Sequence, residues 1–177
     1  MKNLLSTLAA AALASSCGST WYAHRFVPAP LEAQVGVDGD SSAQARTLVT
    51  IRGIRRASAS AGRPAQVEVR LRLENLGSTP AVLDLSDLSL VTSDLESFGP
   101  AVVEPPTADP VAAGEYAIWD VSFPLPAGRS LGELDLQGVN LKWSVRFGDV
   151  RVTTGATFQR RWPGDGYGPY WLPYGYP

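Results

Sequence analysis

The chain of 177 residues is poor in the residues that most often carry chemistry. It has one cysteine, one histidine and one methionine. A single cysteine excludes an internal disulfide and a cysteine-based structural zinc cluster. A single histidine, His24, leaves little material for a hydrolase triad, and no G-x-S-x-G nucleophile motif is present. Charge of one sign is also lacking, with 15 basic against 17 acidic residues. Nucleic-acid binders need a basic face to neutralise phosphates, so that class is not expected. No stretch has a convincing helical period, and no glycine-rich phosphate cradle appears. No apolar run is long enough to span a bilayer, which takes about 20 residues. No cofactor and no metal site are expected.

What is present begins at the N-terminus. Lys2 precedes an apolar run, Leu4-Leu5 and Leu8 to Ala14, which ends in small residues. This is the pattern of a signal-peptide core with a cleavage site. Ala12-Leu13-Ala14 fits ordinary cleavage before Ser15. Leu13-Ala14-Ser15-Ser16-Cys17 instead resembles the lipobox of bacterial lipoproteins, with Ala14 where Leu is more common. The lipobox is the preferred reading, because a lone thiol in an oxidising compartment is a liability unless it has a use. The resemblance implies residues 1–16 as a signal peptide and Cys17 as the lipidated, palmitate-bearing N-terminus. Gly18 in place of Asp implies sorting to the outer membrane, on its periplasmic face.

Residues 17–30 are expected to form a tether, with Pro28 and Pro30 discouraging regular structure. Trp21, Tyr22 and Phe26 suit either the membrane interface or packing on the domain. His24 is expected at the surface.

Residues 31–160 carry strand signals. Gly and Pro together make up a share normal for strands joined by turns, at 17 and 14 residues. Leu48 to Ile54 is the first firm strand. In Gln66 to Leu73, Val67, Val69, Leu71 and Leu73 alternate with charged residues, the period of a half-buried antiparallel strand. Asn75 to Pro80 supplies a turn. Ala81 to Leu85 and Leu88 to Val91 read as two short strands. Glu115 to Phe123 turns Ala117, Trp119, Val121 and Phe123 inward. Leu131 to Leu136 is a weaker strand. Leu141, Trp143, Val145 and Phe147 share a face, and Gly148-Asp149 fits a type II′ hairpin leading to a strand that runs toward Phe158. These signals predict an all-β fold, a single antiparallel β-sandwich of seven or eight strands.

The run V-E-V-R-L-R-L-E-N-L-G-S-T-P, then D-L-S-D-L-S-L-V-T, a Pro-rich loop and G-E-Y-A-I-W-D-V-S-F-P-L-P resembles the immunoglobulin-like domains of small bacterial lipoproteins. The resemblance covers roughly residues 45–160. It implies an immunoglobulin-like sandwich and carries no catalytic residue, because its motifs are turn chemistry and strand pattern.

Three further groups bear on function. Asp84, Asp87 and Asp94 cluster in sequence, as do Asp38 and Asp40; a solvated loop face is the expected reading. Asp38-Gly39-Asp40-Ser41 lacks the later ligands of a calcium loop. The connection Glu96 to Gly114 is long for a sandwich, and such loops are often functional or mobile. Last, residues 161–177 form an irregular tail, whose final sixteen residues hold six aromatics, four Gly and four Pro. Trp162, Tyr167, Tyr170, Trp171, Tyr174 and Tyr176 are its candidate binding residues. They would dock on the domain, on a sugar polymer such as peptidoglycan, or on an envelope protein; a tail with no ligand is the alternative. The sequence reading is thus a non-enzymatic cell-envelope lipoprotein, membrane-held, with a structural or protein-interaction sandwich. The second reading is a carbohydrate- or peptidoglycan-binding accessory lipoprotein that uses the tail.

Overall fold

A computed structural model describes residues 25–36, 44–60, 62–126 and 128–161. Cys17, the signal segment, His24, Asp38, Asp40 and all six candidate aromatics of the tail lie outside the described residues. Nine strands and no helix are found there: β1 (Arg25–Val27), β2 (Leu31–Val35), β3 (Ala45–Arg55), β4 (Gln66–Asn75), β5 (Ala81–Thr92), β6 (Val102–Glu104), β7 (Tyr116–Pro124), β8 (Gly138–Phe147) and β9 (Val150–Arg161). They form two antiparallel sheets, β1-β9-β8-β5 and β2-β3-β4-β7-β6.

The core lies between the sheets and follows directly from period two. Val67, Val69, Leu71 and Leu73 of β4 face Leu141, Trp143, Val145 and Phe147 of β8 across it, and all are buried. Trp119 on β7 and Trp143 on β8 are its largest members, 2% and 0% exposed, one from each sheet. Gly148 has φ +59° and Asp149 does not share that sign, as a type II′ turn requires of the first central residue alone. In β3 the pairing slips between Ile51 and Gly53, whose φ of +139° suits only glycine; beyond this bulge Ile54 again points inward.

The outer face of the five-stranded sheet explains how a strand can bury charge. Glu68 and Glu74 on the central strand are 5% and 9% exposed. Arg55 pairs with Glu68 at 3.0 Å, and Arg46 and Arg72 both pair with Glu74. Arg70 forks onto Asp120 of β7 with two 2.8 Å hydrogen bonds. Arg72 also lies 4.0 Å over the Tyr116 ring.

Five expectations differ from the structure. Among the described residues the strand count is nine, because β1, β2 and β6 are too short to show a period. The sandwich starts at Arg25, not Leu31: Phe26 is 1% exposed in the core and β1 pairs with the end of β9. Pro28 and Pro30 end β1 and send the chain to the other sheet as β2, so they divide a strand between sheets instead of marking a tether. Residues 131–136 form turns, with Leu134 and Leu136 buried as plugs. The two short strands expected over residues 81–91 are one strand, β5, whose pairing with β8 is irregular between Asp84 and Ser89.

Candidate functional site

The outward residues of β5, β8 and β9 build the most chemically varied surface of the sandwich. Strand β8 turns out Asn140, Lys142, Ser144 and Arg146, while β9 turns out Arg151, Thr153, Gly155 and Thr157. The irregularity in β5 swings Asp87 over this face beside Asp84. Arg151 then reaches both carboxylates, 3.0 Å from Asp87 and 3.5 Å from Asp84. Lys142 lies 3.5 Å from Asp87, and Arg146 3.9 Å from Asp84. The Ser144 hydroxyl, buried between them, donates to Asp87, and its oxygen lies 2.7 Å from the Thr153 hydroxyl oxygen.

These contacts fix the ionisation of the pair. The Ser144 hydrogen bond, reinforced by the Arg151 and Lys142 charges, holds the Asp87 carboxyl below its ordinary range against the opposing effect of burial. Asp84 is lowered too, chiefly by the Ser86 hydroxyl, with help from Arg151 and Arg146. General acid catalysis by a carboxyl needs the opposite shift, so that a proton is held near neutral pH. At neutral pH both carboxyls therefore sit as anions among Arg151, Lys142 and Arg146.

Beside the cluster, Ser89, Lys142, Thr153, Gly155 and Thr157 line a shallow groove along β8 and β9. Gly155 sits directly opposite Lys142, and its missing side chain makes the floor. The groove offers hydroxyls, an amide from Asn140 and one ammonium, spread along two strands. Its lining is open to water, so it suits the flat docking of an extended polar segment more than the enclosure of a small molecule.

The other sequence candidates fall elsewhere. Asp94 is separate from Asp84 and Asp87; it takes a hydrogen bond from Thr92 in a turn that also holds the Glu96–Arg129 fork, at 2.8 Å twice. The long connection from Glu96 to Gly114 closes the sandwich. It buries Phe98 and Val111, contains β6, and its Thr107 carbonyl accepts the Trp119 indole N–H at 3.0 Å. Among the described residues no group of three metal-ligating side chains comes together. Ser144, Lys142, Arg151 and Thr153 belong to no motif in the sequence. Period two in β8 and β9 places them on one face, but only the β5 irregularity brings the carboxylates to them.

No protein-family model and no curated protein matches the chain. Among solved structures it is similar to the YjhA protein of Bacillus subtilis, with 13% identity and a TM-score of 0.38, over 59% of this chain and 77% of that one.

Proposed function

We propose that this chain is a non-enzymatic cell-envelope lipoprotein whose sandwich is a structural or protein-interaction module. The observation that carries the reading is the position of Cys17. It ends an apolar run of small residues, and the first strand of the sandwich starts at Arg25. The residues between could span at most roughly 25 Å at about 3.5 Å each. An acylated Cys17 would hold the domain against the bilayer by its β1–β9 end, on the periplasmic face of the outer membrane. Several acyl chains hold such a protein firmly where one is marginal. The non-enzymatic part of the reading rests on the sequence, which has one histidine and no G-x-S-x-G nucleophile motif. We also read the sandwich as immunoglobulin-like. Support comes from the N-terminal segment shared by both sheets, together with the β8–β9 hairpin that pairs with it.

The test combines fractionation and capture. Cys17→Ser should abolish acylation and move the protein out of the membrane fraction, or stall it unprocessed. Mature protein that starts at Ser15 and carries no lipid by mass spectrometry would overturn the anchor. Envelope pull-downs with the whole chain and with a chain ending at Arg161 should differ, if Trp162, Tyr167, Tyr170, Trp171, Tyr174 and Tyr176 make the contact. Identical captures would assign binding to the sandwich itself, and capture of peptidoglycan alone would replace the protein-interaction reading.

A further inference from the structure

Strand β9 runs for twelve residues, but β1 pairs with only its last three, Gln159 to Arg161. Among the described residues nothing pairs with the same edge from Arg151 to Thr157. The direction of the backbone groups there is fixed by the hairpin. Its two-residue turn makes Phe147 and Val150 a hydrogen-bonded pair, so even-numbered residues of β9 exchange bonds with β8. The Arg160 N–H, which donates to the Gln137 carbonyl at 2.7 Å, follows the same rule. The N–H and C=O groups of Arg151, Thr153, Gly155 and Thr157 therefore point away from the sheet.

The edges at β5 and β6 are guarded, and the remaining edge of the five-stranded sheet, β2, has only five residues and carries Glu32. Strand β5 is interrupted at Asp84–Ser89, and its ends are capped by main-chain bonds to Val111, Glu96 and Phe98. Strand β6 has three residues and is stopped by Pro105. The β9 stretch has no proline, no lysine and no bulge, the devices that keep edges apart. Its inward residues Val152, Thr154 and Ala156 are only half-buried, whereas the inward residues of the adjacent β8 are fully covered.

We propose that this edge pairs antiparallel with β9 of a second copy of the chain, about a two-fold axis at Thr154. In that register Thr153 opposes Gly155 and Arg151 opposes Thr157 of the other copy. Every outward-pointing backbone group then finds its partner, about eight hydrogen bonds in all. Such an interface is self-complementary, as two-fold symmetry demands. Charge selects the register: Arg151, the stretch's one charged residue, lands opposite a threonine, whereas an axis at Val152 would bring the two arginines toward each other. Val152, Thr154 and Ala156 would gain cover from their counterparts. The proposal does not depend on the Cys17 anchor. An edge-to-edge contact of this size falls at the low end of stable interfaces, so association at micromolar concentration is expected.

The experiment is the mass of the full-length chain in mild detergent, by light scattering with the detergent subtracted, from about 1 to 100 μM. The expected result is a concentration-dependent rise from the mass of one polypeptide, as fixed by mass spectrometry of the same sample, to twice that mass. Thr153→Pro removes an outward N–H and no ladder bond, so it should leave a monomer with a folded spectrum. Thr153→Lys, which leaves the backbone untouched and sets a charge beside the axis, should also leave a monomer. A wild-type monomer throughout the range would overturn the proposal. So would a dimer that persists in both folded variants, or a chain that dimerises only when truncated after Arg161, since its own tail would then be the occupant of the edge.

Discussion

The Asn75 side chain binds Val111 across the sandwich: its amide nitrogen donates to the Val111 carbonyl at 2.9 Å. The same nitrogen donates to the Thr79 carbonyl at 2.9 Å, and its oxygen accepts from the Gly77 N–H at 3.0 Å. One buried amide thus fastens the turn after β4 to the long connection before β7. Val111 in turn pairs with Ala81 at the start of β5.

That geometry needs an amide and not a carboxylate. Asn75→Asp keeps the shape but faces two carbonyl oxygens with an acceptor. It is expected to cost about 2–4 kcal/mol, for two lost hydrogen bonds and a buried carboxylate set against carbonyl oxygens, although the Val111 carbonyl keeps the Ala81 N–H at 3.0 Å. Urea denaturation of both proteins measures it. A change below about 0.5 kcal/mol would mean that the turn is held by other contacts.

The two core tryptophans should respond differently to a gentle change. Either one cut to Ala should cost about 3–5 kcal/mol, because both are enclosed. Trp119→Phe should cost more than Trp143→Phe, by about 1 kcal/mol. The Trp119 indole N–H is bonded to Thr107, whereas that of Trp143 is buried with no partner among the described residues. Equal denaturant midpoints for the two Phe variants would remove the Thr107 bond from the account.

Acid should loosen the outer face of the four-stranded sheet. The Asp87 carboxyl is lowered in the fold, first by Ser144 and then by Arg151, so the unfolded chain takes up its proton at higher pH. The stabilisation is complete above the ordinary carboxylate range, about pH 4, and fades as pH falls through the lowered value. Asp87→Asn should flatten the fall of stability with pH in that acid window. An unchanged slope would show that Asp84 or the Glu96–Arg129 fork dominates.

Leu95 has φ +66° and is 76% exposed. A left-handed conformation costs a branched side chain about 1–2 kcal/mol, and glycine adopts it freely while losing more entropy on folding. Leu95→Gly should therefore raise stability by roughly 0.5 kcal/mol, visible as a thermal midpoint a few degrees higher. A lower midpoint would show that the leucine side chain makes a stabilising contact despite its exposure.

What could be read from the sequence was what period two controls. The inward faces of β4, β7 and β8 were legible because Val67 to Leu73, Ala117 to Phe123 and Leu141 to Phe147 alternate cleanly. The Asn75 turn was legible because Asn, Gly, Ser and Pro cluster there as turn formers, and the Gly148 hairpin because few residues other than glycine take its left-handed conformation. The short strands were not, since three residues such as Arg25-Phe26-Val27 contain no period; their pairing comes from partners distant in sequence. The Asp84–Asp87–Arg151 cluster was hidden for a related reason. Asp84 and Asp87 are visible as neighbours, but Arg151 and Ser144 reach them only through sheet order and one irregularity in β5. Residues 131–136 misled because buried leucines at alternate positions also serve as plugs beneath turns.

The pairing of β1 with β9 has a kinetic consequence. Phe26, among the first residues of the sandwich to be synthesised, is held by Arg160, among the last. Contacts so distant along the chain form late and slowly, because loop closure must precede their reward. The four-stranded sheet cannot be completed until nearly the whole domain has been made, so a nascent chain stays open for most of its synthesis. Removing β1 would leave the Phe26 site in the core empty. A chain shortened from the N-terminus past Val27 should thus unfold faster than the intact protein, with its folding rate less affected if that strand docks last.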